Sequence, residues 1–248
     1  MTMSLRSALL LATGLSMVQA RPATSKLSAR GTIASDEIVG FDQTVPDDAT
    51  GTLYLNYQPY LYVVNGCVPF PAVDAEGDTN AGLAPTGASD GDCSSSTGQI
   101  YVRSNVSSTG DYTYPTALLY SWYMPKDEPS TGLGHRHDWE GVIVWISDPT
   151  VYTADNILAV CPSAHGDWDC STDAYTLDGV KPLIKYESIW PIDHSCGLTT
   201  TVGGTQPLVA WESLPSAAST ALSDTDFGSA IVPFKDATFD DNLAKATY

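Results

Sequence analysis

The sequence predicts a mainly β protein, a single-domain β-sandwich with peripheral helices. Short runs rich in Val, Ile, Tyr and Trp recur along the chain, separated by clusters of Gly, Pro, Asp and Ser. A length of 248 residues suits one domain with a sizeable core better than two small ones. Many short strands with few helical periods are typical of two packed sheets.

The predicted strands are the residue runs in which β-branched and aromatic side chains concentrate. These runs are 60–64, 99–103, 117–123, 142–146, 156–160, 183–186 and 207–211. The third and fourth are almost continuously apolar, which indicates strands covered on both faces. Between them, two prolines and two glycines predict a loop outside regular pairing.

Two helices are predicted near the C-terminal end. Asp236 is a candidate N-cap for a helix over 237–247, where Phe239 and Leu243 lie four residues apart on one face. A weaker pattern predicts a second helix over 215–222.

The N-terminal residues predict secretion into the extracellular space. Residues 1–20 place Arg6 ahead of an apolar run and end in Val18-Gln19-Ala20, as a signal peptide does. The apolar run is shorter than the roughly 20 residues needed to span a bilayer. Residues 21–36 are small and polar and predict a flexible arm, so the folded domain is expected over 37–248.

The charge balance disfavours two classes of partner. The formal net charge is −18, whereas nucleic acid selects clustered Lys and Arg. Direct attraction to anionic phospholipid also depends on basic segments. If a membrane is the target, recognition must come from something other than net charge.

The chain has five cysteines, which are free to form disulfides in an exported protein. We expect Cys67–Cys93 and Cys161–Cys170, with Cys196 left over, although four cysteines by themselves leave three pairings open. Asn105 begins an Asn-Val-Ser sequon and predicts a surface position that can carry a glycan.

The segment GHRHDWE, residues 134–140, concentrates the candidate chemistry. In a regular strand His135 would face away from Asp138 and Glu140, so these side chains converge only if the backbone bends near Gly134. Asp127 lies within reach in the preceding segment.

Three interpretations of this cluster follow from its residue types. A set drawn from Asp127, His135, Asp138 and Glu140 is rich in carboxylates and favours Mg²⁺, Ca²⁺ or Mn²⁺ over structural zinc. A zinc hydrolase could use His135 and His137 with Glu140 as base. A solvated loop, or an ion-pair network around Arg136, would need no metal.

The segment ALLYSWYMPKDEPSTGLGHRHDWE, residues 117–140, resembles the hallmark of the necrosis- and ethylene-inducing protein-like family. These are secreted cytolysins and elicitors of plant-associated microbes. Further segments that resemble the family in order are YLYVVNGCVPFPAVDAEGDTNAGL, GQIYVRS, SAHG, WPIDHS and VPFKDATFDDNLAKA.

This resemblance implies a β-sandwich similar to actinoporins and fungal lectins, with a divalent cation, Mg²⁺ or Ca²⁺, at its rim. It assigns the cation to Asp127, His135, Asp138 and Glu140. It also places Asp193 and His194 at or behind the cation site, with Trp190 contacting a membrane or head group. Arg136 is expected to orient a carboxylate, and His137 to support the motif from the buried side.

The resemblance also implies a function without enzymatic turnover. The protein would bind plant plasma-membrane sphingolipid head groups, the glycosyl inositol phosphoryl ceramides, and damage the membrane. A plant immune receptor would read segment 117–140, and the protein would be a monomer in solution. The alternatives are a non-toxic secreted elicitor or adhesin, because some family members with the full motif do not kill, and a metal-dependent hydrolase.

The sequence departs from the family pattern at two places. One disulfide, corresponding to Cys67–Cys93, is common to the family, so the other three cysteines are additional. Gly141 follows the seven-residue motif where a bulkier polar residue is frequent.

Overall fold

The computed structural model describes residues 31–107, 111–189 and 193–248. The predicted signal peptide, most of the predicted arm and Trp190 lie outside the described residues, as does the side chain of Asp193.

The described residues form strands and a few short helices. The strands are β1 (Thr32–Ile33), β2 (Tyr60–Val63), β3 (Thr79–Asn80), β4 (Ile100–Ser104), β5 (Thr116–Ser130), β6 (Leu133–Ile146), β7 (Ile157–Ala164), β8 (Asp167–Trp168), β9 (Leu177–Asp178), β10 (Lys181–Ile189), β11 (Asp193–Leu198) and β12 (Leu208–Ala210). The α-helices are α1 (Ala49–Tyr57), α2 (Ser216–Asp224) and α3 (Phe239–Lys245), with 3₁₀ turns at Ala154–Asn156 and Trp211–Ser213.

Two main sheets build the core. The larger sheet has the strand order β12-β4-β5-β6-β7-β8, and the smaller has β11-β10-β2 with β9 on the edge of β10. Strand β11 lies against β5, β6 and β7, so the two sheets pack face to face. The prediction of a mainly β sandwich is confirmed.

The central hairpin β5–β6 is rich in buried apolar side chains. Leu118, Tyr120 and Trp122 are fully buried on β5, as are Val142 and Val144 on β6. Both strands are covered on two faces, which explains why they read as continuous apolar runs.

The predicted strands all exist, but the predicted loop between the third and fourth is wrong. Strands β5 and β6 stay paired as far as Ser130 and Leu133, and the turn contains only Thr131 and Gly132. The ladder skips the pair Pro125–His137 and shifts between Asp127 and Ser130, near the second proline. The prolines therefore disturb the hairpin without ending it.

The two predicted helices exist, but the predicted N-cap does not. Helix α3 begins after Thr238, and the Asp236 carboxylate instead pairs with the Arg103 guanidinium at 2.8 Å. Helix α1, which was not predicted, is capped by Asp48, whose carboxylate accepts from the Thr50 and Gly51 amides.

Both expected disulfides are present, Cys67–Cys93 and Cys161–Cys170, and Cys196 is a buried free thiol. Asn105 is half-buried and its amide oxygen accepts from the Ala117 amide at 2.9 Å, so its glycosylation stays a prediction. No helix in the described parts of the chain has the length and apolar character needed to cross a membrane.

Candidate functional site: an acidic cavity at the β5–β6 hairpin

The motif residues separate onto two sides because the backbone of β6 turns at His137. His137 has a φ of 63°, in the left-handed region. A Cβ placed on Gly82 would lie within 2.7 Å of both the Arg136 and His137 side chains, so these neighbours share one side. His135 and Asp138 line a cavity on the other side. The side chains of His135 and Asp138, which a regular strand would place on opposite faces, therefore lie on the same side.

Gly134 allows the hairpin to close over Asp127. Its φ is 109°, and a Cβ at this position would lie 2.1 Å from the Asp127 carbonyl oxygen. Only glycine combines this φ with such a close approach of two strands. The bend predicted at Gly134 is therefore present, with a second one at His137.

The cavity has a volume of about 380 Å³ and is acidic at one end. Residues of β5, β6 and β11 meet there, together with the β7–β8 turn and the segment leading into α3. Its lining includes Asp127, His135, Asp138, Trp139, Glu140, Ser163, His165, Trp168, His194, Asn242 and Lys245.

Asp127 is buried between two imidazoles. One carboxylate oxygen contacts His194 Nδ1, and the other lies 3.5 Å from His135 Nε2. The His194 ring stacks on Tyr186 with centroids 4.9 Å apart. A Cβ on Gly66 would lie 2.5 Å from His194 Nε2, so this glycine makes room for the ring.

Asp138 is the second buried carboxylate of the cavity. Its Oδ2 accepts from the Tyr186 hydroxyl at 2.8 Å. Burial, and then the negative charge of Asp127, raise the pKa of Asp138 to about 7. The two carboxylates are therefore close enough to repel each other in a poorly solvated place.

Glu140 lies deeper along the same strand. Its Oε2 accepts from the Ser163 hydroxyl and from the Cys196 amide, the latter at 3.3 Å. Ser163 belongs to β7 and Cys196 to β11, so Glu140 connects both sheets.

His137 and Arg136 take no part in the cavity. The Tyr123 hydroxyl hydrogen-bonds His137 Nδ1 at 2.6 Å, and burial followed by the Arg136 charge lowers the pKa of His137 to about 4. Arg136 donates to the carbonyls of Ala81 at 3.0 Å and Gly82 at 2.6 Å. The expectation that Arg136 orients a carboxylate is corrected, because it binds main-chain carbonyls instead.

This separation weakens the zinc hydrolase interpretation. A zinc site on the His-x-His pair needs both imidazoles to converge, whereas His135 faces the cavity and His137 faces Tyr123.

The acidic end suits a divalent cation in charge, but it is not a preassembled coordination shell. Within the three described stretches, no group of three or more His, Cys, Asp or Glu side chains is placed to hold a metal ion. Two adjacent buried carboxylates would nevertheless be stabilised by a hard cation, since it removes their repulsion. The donor chemistry fits, and the Asp127 oxygens at present face imidazoles.

Several residues that shape the site were not predicted. Tyr186, Ser163 and Trp168 come from strands distant in sequence, and Gly66 precedes Cys67 in a loop. Gly66 has a left-handed φ of 85°. Its importance to the site follows from this backbone conformation, which could not be predicted from the sequence.

The fold and this cavity define a mainly β protein with an acidic binding cleft at the edge of a sandwich. The chain belongs to the necrosis inducing protein family (NPP1), whose model matches residues 51–246. It is 44% identical to NLP effector protein 10 of Phytophthora capsici over 220 residues, which are 87% of this chain and 92% of that relative. The family is described as necrosis inducing, and this relative is named as an effector protein.

Solved structures extend the likeness to the whole fold. NLPPya in complex with mannosamine matches with a TM-score of 0.80 and 46% identity, over 88% of this chain and all of that one. The non-toxic HaNLP3 protein matches with a TM-score of 0.79 and 37% identity, over 86% and 98% of the two chains.

Proposed function

We propose that this protein is a secreted, non-enzymatic cytolysin and elicitor that binds plant plasma-membrane sphingolipid head groups, the glycosyl inositol phosphoryl ceramides. Mg²⁺ or Ca²⁺ would mediate binding, held by Asp127, His135, Asp138 and Glu140. The observation that carries the proposal is the pair of adjacent buried carboxylates, Asp127 and Asp138, lining one cavity. A bound cation would supply positive charge that links these carboxylates to oxygens of the head group.

This proposal accounts for the acidity of the protein. A chain with a formal net charge of −18 gains nothing from direct contact with anionic lipid. A divalent ion and a sugar provide a local attraction that does not depend on the overall charge. A sugar ligand is supported by the structural likeness to NLPPya, which was solved with mannosamine.

Leakage from lipid vesicles tests the proposal. Vesicles containing plant glycosyl inositol phosphoryl ceramides are compared with phosphatidylcholine vesicles, in Mg²⁺ or Ca²⁺ and in a chelator. We expect leakage only with the sphingolipid and the cation, and its loss in Asp127→Asn and Asp138→Asn. Asp74→Asn is the matched control, because Asp74 is also buried but lies outside the cavity. Leakage that both cavity variants retain would refute the cation mechanism.

A second candidate function is a non-toxic elicitor or adhesin with the same fold. The observation that favours it is the match to HaNLP3, which is described as non-toxic. Vesicle binding without leakage, together with an immune response in leaves, would select this function over the cytolysin.

A further inference from the structure

The cavity has a second wall, beside Glu140, that the proposed cation site does not use. This wall is formed by Trp168 of the β7–β8 hairpin and by side chains of α3. The charged and amide side chains of β8 and α3 that line the cavity are Asp167, Asp241, Asn242 and Lys245. The wall therefore combines an indole with amide, ammonium and carboxylate groups.

Trp168 is fixed in place by three kinds of contact. Its strand pairs with β7 through Ser163. The Cys161–Cys170 disulfide, which is additional to the single pair common to the family, closes the same hairpin. The indole Nε1 donates to Asn242 Oδ1 at 3.2 Å. The ring is half-buried and thus needs little ordering when a ligand arrives.

Gly141 lies beside both Trp168 and the backbone of β5. A Cβ on Gly141 would lie 3.5 Å from Trp168 Cη2 and 2.6 Å from the Tyr120 carbonyl oxygen. The first of these distances is ordinary van der Waals contact, whereas the second is too short for a Cβ. The glycine at 141 is therefore explained by the close approach of β5, with the indole packed beside it.

The rim of this wall presents polar groups that are already oriented. Asn242 Nδ2 donates to the Pro233 carbonyl at 2.9 Å, and Lys245 Nζ donates to the Gly166 carbonyl at 2.9 Å. The Lys245 side chain is still 50% exposed. An apolar aromatic surface bordered by amide, ammonium and carboxylate groups matches a pyranose ring, which has an apolar C–H face and hydroxyls at its edge.

We propose that Trp168 forms a second sugar subsite, at which a further pyranose of the head group stacks on the indole while Asn242 and Lys245 meet its hydroxyls. This inference rests on the proposed function, because the first sugar must bind near the acidic end. The cavity would then bind an oligosaccharide rather than a single sugar.

The test compares a one-sugar probe with the whole head group, with the cation concentration held constant. Mannosamine and the oligosaccharide released from plant glycosyl inositol phosphoryl ceramides are titrated into wild type, Trp168→Leu and Trp145→Leu. Trp145 is the matched control, since it is also half-buried and donates its indole N–H to the Ala246 carbonyl at 3.0 Å, but does not line the cavity. We expect about tenfold weaker oligosaccharide binding in Trp168→Leu alone, with mannosamine binding changed less than about twofold.

A measurement on the wild-type protein removes any dependence on how well the variant folds. With ¹⁵N-labelled indoles, the Nε1 resonance of Trp168 should move on addition of the oligosaccharide and stay in place with mannosamine, while that of Trp145 stays in place with both. A Trp168 resonance that ignores the oligosaccharide overturns the subsite.

The remaining outcomes separate this inference from the proposed function. If the oligosaccharide binds and Trp168→Leu matches Trp145→Leu, the subsite is wrong and the proposed function stands. Equal weakening for both probes overturns a separate second subsite as well. If wild type binds no head-group oligosaccharide at all, both proposals fail together.

Discussion

The buried carboxylates Asp127 and Asp138 should lower the stability of the cation-free protein while favouring the proposed binding of a cation. Without a cation, burial and then their mutual repulsion disfavour the ionised pair in the folded protein, as the raised pKa of Asp138 indicates. We predict that Asp138→Asn increases the free energy of unfolding by about 1 kcal/mol in a chelator, raising the thermal midpoint by roughly 2–4 °C. The asparagine amide oxygen can still accept from Tyr186.

If Mg²⁺ or Ca²⁺ binds at this pair as proposed, it should stabilise wild type and fail to stabilise the same variant. Thermal unfolding with and without the ion measures both effects, and Asp74→Asn should gain nothing in the chelator. A lower midpoint for Asp138→Asn in the chelator would show that the pair does not repel significantly.

Among the glycines near the hairpin turn, Gly134 should be the one whose substitution by alanine lowers the free energy of unfolding most. An alanine there combines an unfavourable φ with a Cβ 2.1 Å from the Asp127 carbonyl oxygen. We predict that Gly134→Ala costs at least about 2 kcal/mol of unfolding free energy more than Gly132→Ala, because backbone strain is joined by a clash.

Gly132→Ala is the control because Gly132 also has a positive φ, 76°, but nothing lies within 4 Å of its Cβ position. Denaturant unfolding of both variants gives the difference. Equal losses would mean that only the φ matters and that the hairpin tolerates a wider separation at Asp127.

The central hairpin conceals the segment expected to be read by an immune receptor. Residues 117–128, the first half of segment 117–140, are buried throughout. A receptor that binds this stretch as an extended peptide can reach it only after unfolding or proteolysis. We predict that protease-treated protein elicits an immune response at lower concentration than the intact folded protein, measured in leaves with a leakage-negative Asp127→Asn variant.

The leakage-negative background separates peptide recognition from membrane damage. A synthetic peptide of 117–140 is the positive control. Equal potency of intact and digested protein would show that the receptor reads the folded surface instead.

The central strands β5 and β6 of the large sheet could be predicted because burial on both faces gives them long apolar runs. Strand β11 could not, because Asp193-His194-Ser195 and Gly197 give it no β pattern. It is held in place by antiparallel pairing with β10 and by packing against the larger sheet. The two prolines in β5 led to the wrong prediction of a loop. Each lacks a backbone N–H donor, but the remaining pairs between β5 and β6 hold the hairpin together.

The composition of the candidate site could be predicted, but its geometry could not. The acidic members were recognisable from residue type, whereas the reversal of sides at His137 depends on a single backbone angle. The contact of Asp127 with His194 joins residues that are 67 positions apart in the chain. Only the packing of one sheet on the other creates it.

At the scale of the whole molecule, the acidic cavity belongs to a protein whose net charge is also strongly negative. The formal net charge of −18 should repel an anionic membrane over distances comparable to the Debye length. A basic membrane-binding protein loses affinity as salt rises, because its attraction is screened. Here screening removes a repulsion, while the proposed cation, held between buried carboxylates, would be shielded from bulk salt.

We therefore predict that association with sphingolipid vesicles becomes faster when KCl is raised from about 10 mM to about 150 mM, which shortens the Debye length from roughly 30 Å to about 8 Å. The divalent ion is kept constant and saturating, and binding is followed by stopped-flow energy transfer to labelled lipid. Neutral vesicles carrying the same sugar head group without its phosphate are the control and should show little change. Slower association at higher KCl would instead indicate that a positively charged surface guides the approach.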